Sequence, residues 1–511
     1  MRPFVAFLFA SASALLVTVP ALWPFLWPLT WVALVPFFLA LRDATPGRAF
    51  LLGWGMETLI IWVAFYWLVG TMVRFGYIPI PLSLLFFGII GIGNGVRMGL
   101  FAWWTRRTAA ADSPWWYRLF LPACAYVTLD YLFPRVFPWY LGTVQRPAVP
   151  LIQIADVTGV HGITLLLVMC SVAIAAFFPH PSQPPRSAQR RMSLTLGILL
   201  VLTMAYGAWR IQQVTMAMQQ APPLRLAIIQ PNIGITEKGE RRSRRAHLQM
   251  QVDMSLQLMA QQPDVMIWPE TMYPYPVEKH AERLVFPPLL AYPNTYWLLG
   301  ALVYEQQNGT YQQFNSALLM APNTDILGRY DKQRLLAFGE YIPLQRYVPF
   351  LRNISPTIGN LTPGSGEPVT LPNGVRLGPL ICYEDILPEL GRQAVRQGAA
   401  LLVNLTNNAW FGETHAPYLH RMLAAFRTIE NRVYLVRATN TGLTSIIDPL
   451  GREHDPLPIY QRATLVRTVQ PLQLSTLYTR FGDWFAQLCS VVTVLLPLGQ
   501  WYCRRRRKKR T

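Results

Sequence analysis

Long apolar runs and short alternating ones divide this chain. Eight runs are apolar enough and long enough for helices that cross a bilayer, which takes about 20 residues. They lie at about 3–20, 22–41, 49–72, 78–101, 116–134, 160–178, 192–211 and 483–502. The pattern predicts a polytopic helical membrane domain over 1–212 (about seven helices), a final membrane helix at 483–502 and a basic tail at 503–511. Between them, residues 224–470 change character. Short apolar or β-branched runs recur at Leu226–Ile229, Val265–Trp268, Trp297–Val303, Ala317–Met320, Leu377–Ile381, Ala400–Val403, Tyr434–Ala438 and Leu465–Val469. Amphipathic helical stretches at 240–261, 386–397 and 416–431 separate some of them. Strands alternating with helices predict a layered α/β domain.

Composition agrees with a partly lipid environment. Of 511 residues, 52% are hydrophobic and 14% charged, against roughly 25% charged in soluble proteins. The net charge of +19 is not a nucleic-acid signature: seven of the positive charges are Arg504–Arg507, Lys508, Lys509 and Arg510, directly after the last apolar run. Others cluster between runs, as at Arg106-Arg107 and Arg190-Arg191, where positive-inside topology signals belong. With the N-terminus in the cytoplasm, cytoplasmic segments carry Arg42, Arg48, Arg106, Arg107, Arg118, Arg186, Arg190, Arg191 and the tail. The opposite loops carry Arg74, Arg135 and Arg146. Both termini are therefore expected inside and 224–470 in the periplasm. The first run begins Met1-Arg2 as a signal peptide does, but another apolar run follows with no soluble start between, so a first membrane helix is expected.

Polar residues inside apolar runs stand out. Glu57 and Asp130 either contact a substrate headgroup or a proton path, or pair to hold helices together; pairing is the expectation. Gly91, Gly93, Gly95 and Gly99 are expected at a close helix contact and not in a nucleotide loop, which needs a preceding strand. Of the five cysteines, Cys124, Cys170, Cys489 and Cys503 lie in or beside apolar runs, and only Cys382 falls in the α/β segment. Their spacing suggests neither a disulfide framework nor a zinc site.

Three segments of the α/β region carry chemistry. Glu270 ends Asp264-Val-Met-Ile-Trp-Pro-Glu270, where Pro269 closes the strand. Lys332 lies in Arg329-Tyr-Asp-Lys-Gln-Arg-Leu335, after a predicted strand and turn. Cys382 ends Gly378-Pro-Leu-Ile-Cys382 and precedes a predicted helix. Open α/β sheets place sites at such rims. A helix dipole and a lysine would favour a thiolate at Cys382. A carboxylate would take the thiol proton, and the ammonium with a backbone N–H would hold an oxyanion. A lone cysteine at a strand end is more often structural, and a Cys382–His415 or Cys382–His420 dyad is an alternative pair.

The order and spacing of Trp-Pro-Glu270, Tyr-Asp-Lys332 and Ile-Cys-Tyr-Glu384 resemble the nitrilase, or carbon–nitrogen hydrolase, superfamily. That resemblance implies an α-β-β-α sandwich with Glu270 as base, Lys332 as oxyanion stabiliser and Cys382 as nucleophile. Phe338-Gly-Glu340 and Asn407-Asn-Ala-Trp-Phe-Gly412 also look like family segments, which implies support or substrate contact from Glu340, Tyr383, Glu384 and Trp410. Fused to about eight membrane helices, the whole is similar to the apolipoprotein N-acyltransferase family. Phe137-Pro-Trp139, Ile152–Gly162, Asn431-Arg432, Arg437, Thr439–Gly442 and Ile447-Asp448 extend the likeness.

The family resemblance implies a cysteine thioester formed from a phosphatidylethanolamine-like phospholipid and discharged to a diacylated apolipoprotein. It also implies a monomer in a bacterial inner membrane, without metal or cofactor. A membrane-tethered amidase and a non-catalytic scaffold are the competing readings. One departure is Lys238-Gly239, where family members often carry Trp after the lysine. The connection 337–368, rich in Pro and Gly yet carrying Phe338, Tyr341, Ile342, Tyr347, Val348, Phe350 and Leu351, is expected to be an apolar lid.

Overall fold

The computed structural model describes residues 2–74, 76–109, 113–135, 137–284, 294–307, 309–337, 339–341, 347 and 360–508. Most of the expected 337–368 lid, including Phe338, Phe350 and Leu351, lies outside them. The chain forms two compact units, one of residues 1–66, 81–211 and 481–511, the other of 67–80 and 212–480.

The first unit is helical. Among the described residues five helices are long and apolar enough to cross a membrane, or seven if each of two bent pairs is one span. The five segments are Pro3–Leu22, Pro24–Leu41, Ile80–Thr108, Arg186–Gln220 and Trp484–Tyr502. Five to seven by length and composition leave the expected eight unconfirmed, and several of the runs differ from simple spans. The 22–41 run opens as a tight 3-10 turn, Pro24–Trp31, before Val35–Leu41 becomes α-helical. The 49–72 run breaks into Pro46–Ala64 and Trp67–Arg74, bent by 56°, and the second piece belongs to the other unit. The 160–178 run forms a pair with Val149–Thr158, bent by 119°. Gly159, at φ +62, supplies the left-handed backbone for that corner. The 116–134 run does form a helix, Trp115–Leu132, but Arg118, Asp130 and its aromatic start make it too polar for the same class. It packs against Val160–Ala175 and Trp484–Lys508. Gln487 donates to the Tyr131 hydroxyl at one end (3.4 Å) and Gln500 to the Ser113 hydroxyl at the other (2.8 Å), so Trp115–Leu132 and Trp484–Lys508 run antiparallel. Exposed apolar side chains cover the outer faces, among them Phe4, Leu194, Val201, Leu495 and Leu498. A water-facing surface would not carry that many.

Glu57 and Asp130 are paired, as expected, but through a residue that sequence reasoning did not single out. The buried Arg97 guanidinium bonds both Glu57 oxygens, Oε2 at 2.8 Å, and reaches Asp130 Oδ1 at 3.0 Å. Arg135 lies 3.1 Å from the same Asp130 oxygen. Opposite charges therefore compensate one another where single ones would cost several kcal/mol, on the order of a buried-ion penalty. The glycine pattern is a helix contact. A Cβ on Gly91 would lie 2.3 Å from Trp62 Nε1, one on Gly95 2.5 Å from Thr58 Oγ1, and one on Gly99 2.8 Å from Phe50; Gly93 faces open space.

The second unit holds two sheets. Its strands are β1 (Leu224–Gln230), β2 (Val265–Trp268), β3 (Val277–Glu278), β4 (Tyr296–Gln307), β5 (Thr310–Met320) and β6 (Ile326–Asp331). There follow β7 (Val369–Thr370), β8 (Arg376–Ile381), β9 (Leu401–Thr406), β10 (Tyr434–Thr439), β11 (Ser445–Ile447), β12 (Glu453–His454) and β13 (Ala463–Val469). The first sheet is ordered β13-β1-β2-β4-β5-β6 with β3 beside β4, the second β12-β11-β10-β9-β8-β7. Period-two alternation decides which face goes where. Leu224, Leu226, Ile228, Val265 and Ile267 enter a core shared with Leu377, Ile381, Leu401, Val403 and Val436 of the other sheet. Their neighbours Ala227, Ile229, Met266 and Trp268 face outward to Val252, Leu258 and Met259 of the helix Arg244–Met259. Helices Pro388–Arg396 and Phe426–Asn431 pack against β8 and β10. The layers are α-β-β-α.

Candidate active site

Strand direction brings the three expected residues together. β1, β2 and β4 are parallel, and two antiparallel steps through β5 make β6 parallel to them. Glu270 and Lys332 therefore leave β2 and β6 at the same rim. β8 and β9 are also parallel, and Cys382 follows β8. The sheets meet at this rim: the Asn407 N–H, just past β9, donates to Glu270 Oε2 at 2.9 Å. Glu270 is seated by close backbone approach, since a Cβ on Gly300 of β4 would lie 2.2 Å from the Pro269 oxygen. Cys382 has φ +58, a sharp left-handed elbow for a non-glycine residue.

Around them is a buried polar cluster. The Lys332 ammonium sits 2.7 Å from Glu340 Oε1 and 3.8 Å from Glu270 Oε1. Asn315, in the middle of β5, donates to Glu270 Oε1 (2.7 Å) and to Glu340 Oε1 (3.3 Å). Glu340 Oε2 accepts from the Leu336 N–H at 2.8 Å. The Thr406 hydroxyl, which donates to Asn408 Oδ1 at 3.2 Å, acts to lower the Cys382 thiol pKa.

Burial, then the Glu270 charge, push the Cys382 thiol well above its ordinary value, and the Lys332 ammonium only partly offsets them. This runs against the expected resting thiolate: the following helical turn, Cys382–Ile386, is short, and burial and two carboxylates outweigh its dipole. Burial also raises Glu270, with Glu340 adding to it and Lys332, Lys238 and Asn315 opposing. Burial alone would lower Lys332, but Cys382, Glu340, Glu270 and Glu384 hold it above the usual lysine range. The arrangement puts a buried thiol in the field of a carboxylate and of a cation that lies 3.8 Å from that carboxylate.

The supporting residues divide into kinds. Glu340 holds the lysine. Tyr383 donates its hydroxyl to the Leu335 oxygen (3.1 Å) and lays its ring 5.6 Å from the Lys332 ammonium. Glu384 faces the scaffold: it accepts from the N–H groups of Gln333 (2.7 Å), Arg334 (2.9 Å) and Ile381 (2.7 Å) and from the Tyr330 hydroxyl (2.9 Å). It thus clamps the segment after Lys332 to the residue before Cys382. Trp410 stands half-exposed on the Asn408–Phe411 turn, its carbonyl accepting from the Thr71 hydroxyl at 3.1 Å. In the alternative dyad, His420 spends Nε2 on Asp385 at 2.6 Å. Sequence reasoning missed Asn315, Thr406 and Asn407. For Asn315 a signal existed, since Asn315-Ser316 interrupts an otherwise apolar strand end.

Comparison with known proteins agrees with this geometry. The carbon-nitrogen hydrolase family matches residues 225–474, and the apolipoprotein N-acyltransferase N-terminal domain matches 13–173. The apolipoprotein N-acyltransferase of Geobacter metallireducens is 32% identical over 492 residues, 94% of this chain and 93% of that protein. That of Methylococcus capsulatus is 30% identical over 516 residues, covering 97% of each. The α/β unit is thus a nitrilase-like fold, and the chain belongs to the apolipoprotein N-acyltransferase family, an acyltransferase within the carbon–nitrogen hydrolase superfamily.

Proposed function

We propose that this enzyme moves an acyl chain from a phosphatidylethanolamine-like phospholipid, through a thioester on Cys382, to the α-amine of a diacylglyceryl-cysteine at a lipoprotein's N-terminus. The observation that carries this reading is the meeting of Cys382, Glu270 and Lys332, all buried, at one rim. Glu270 takes the thiol proton as Cys382 Sγ attacks the ester carbonyl. The Lys332 ammonium and the Tyr383 N–H stabilise the oxyanion. The ester C–O bond breaks, and the lysophospholipid alkoxide leaves with the proton from Glu270. In the second half Glu270 takes a proton from the attacking amine, the C–S bond breaks, and the proton returns to sulfur. Glu340 keeps Lys332 in place, Tyr383 and Glu384 hold the elbow, and Trp410 contacts substrate.

In this reading 224–470 is the catalytic domain, on the periplasmic face of a bacterial inner membrane. About seven helices within 1–212 and one at 483–502 anchor it, and 503–511 is a cytoplasmic tail. The arginine bias supports that orientation. The antiparallel Trp115–Leu132 and Trp484–Lys508 helices fit a fifth and an eighth span of opposite direction. One monomer contains every group used. The test incubates purified enzyme with acyl-labelled phosphatidylethanolamine and a diacylated lipopeptide. The expected result is label in the peptide's N-terminal amide with an equal amount of lysophospholipid. Label released as free fatty acid whether or not peptide is present would favour a hydrolase.

A further inference from the structure

The cluster holds a charge that the reaction above does not use. Lys238 lies in the short helix Ile235–Gly239, half-buried beside Glu270. Its loop is pinned to the end of β10: the Ile233 N–H donates to Asn440 Oδ1 (2.9 Å), and Asn440 Nδ2 donates to the Ile233 oxygen (2.7 Å). The Lys238 ammonium donates to the Glu270 carbonyl at 3.1 Å and to the Thr271 hydroxyl. Thr271 has φ +49, a conformation a β-branched residue adopts only when its surroundings hold it there.

We propose that Lys238 is a positioning residue: it fastens the turn that presents Glu270 and serves as the counter-ion that keeps Glu270 ionised. This rests on Glu270 being the proton acceptor. The argument is one of charge balance. Glu270 is faced by Lys332, Glu340, Lys238 and Cys382, with neutral donors from Asn315 and Asn407. Lys332 is shared, closer to Glu340 (2.7 Å) than to Glu270 (3.8 Å). Lys332 and Glu340 cancel, which leaves a buried Glu270 charge, and Lys238 is the cation that remains to compensate it. Burial pulls Lys238 itself down to about 8, and the Glu270 charge opposes that fall, so each ion supports the charge of the other.

Removing that cation raises the Glu270 pKa, so proton abstraction from Cys382 should fail at a higher pH. The test is alkylation of Cys382 by iodoacetamide in the full-length enzyme as a function of pH, read by peptide mass spectrometry, with Glu270→Gln as reference. In Lys238→Met the acid midpoint should rise by about half to one unit, a roughly three- to tenfold slower reaction below the midpoint. The plateau should fall as well, because the turn loses the Lys238 hydrogen bonds to the Glu270 carbonyl and Thr271, and Lys238→Arg should restore the wild-type midpoint. An unchanged midpoint in Lys238→Met with a uniformly lower plateau would overturn the proposal, as would an arginine variant that behaves like methionine. A wild-type profile that Glu270→Gln leaves unaltered would overturn the assignment of Glu270 itself, a separate failure.

Discussion

Glu384→Gln tests how the elbow is built. The Glu384 carboxylate is fully buried and accepts four hydrogen bonds, two on each oxygen. Glutamine keeps Oε1 for Gln333 and Arg334 but turns an NH₂ toward the Ile381 N–H and the Tyr330 hydroxyl. The Tyr330 hydroxyl can rotate to accept; the Ile381 N–H cannot. One charge-assisted bond is lost and one buried donor is stranded, about 3 kcal/mol in all. For a domain of this size each kcal/mol moves Tm by about 2–4 °C, so a fall of about 6–12 °C is expected. Ile381 precedes Cys382 and Gln333 follows Lys332, so a shift near 1 Å should also slow thioester formation by on the order of 100-fold. The assay is thermal unfolding of the detergent-solubilised enzyme by tryptophan fluorescence, with acylation rates in parallel. Glu389→Gln, at an exposed position, is the control expected to change little. A Glu384→Gln enzyme that matches this control in both measurements would refute the clamp.

Further outcomes follow from other parts of the molecule. Glu270 must be ionised to accept the thiol proton, and its pKa is raised. The acid limb of thioester formation should therefore lie above the usual glutamate value of about 4.3; a limb at or below it, in a pH–rate profile, would contradict the burial argument. Arg97→Met leaves the Glu57 carboxylate without its cation and should cost about 3–5 kcal/mol, seen as loss of folded protein in detergent. Arg97→Lys should not rescue it, because one ammonium cannot match a guanidinium that bonds both Glu57 oxygens and Asp130. Gly53→Ala puts a Cβ 2.1 Å from the Met98 carbonyl and should cost about 1–3 kcal/mol, whereas Gly93→Ala meets nothing and should leave Tm unchanged or higher.

Legibility in the sequence followed the physics. The central strands of the sandwich are buried on both faces, so they read as apolar runs, and eight of the thirteen strands stood out. The strands missed are short or polar, such as β12 (Glu453–His454) and the half-exposed β6. Glu270 and Cys382 were legible because each closes an apolar strand with a polar residue, whereas Lys332 follows the missed β6 and was legible through its Tyr-Asp-Lys segment. The thiolate expectation failed because burial and neighbouring carboxylates are tertiary facts. Arg97, inside the 78–101 run, carries the same signal as Glu57 and Asp130, but its pairing with them does not show in the sequence because the partners lie 40 and 33 residues away on other helices. The break after Ala64 carries no Pro or Gly to announce it, whereas Gly159 marks the other corner.

The most direct test of the central claim is the intact mass of the enzyme after exposure to phospholipid, followed by addition of diacylated lipopeptide. An acyl-sized mass increase should appear, map to Cys382, and disappear on adding lipopeptide as the N-acylated peptide forms; Cys382→Ser should gain no mass. An adduct on Cys124, Cys170, Cys489 or Cys503, or transfer to peptide by the Cys382→Ser enzyme, would contradict the account.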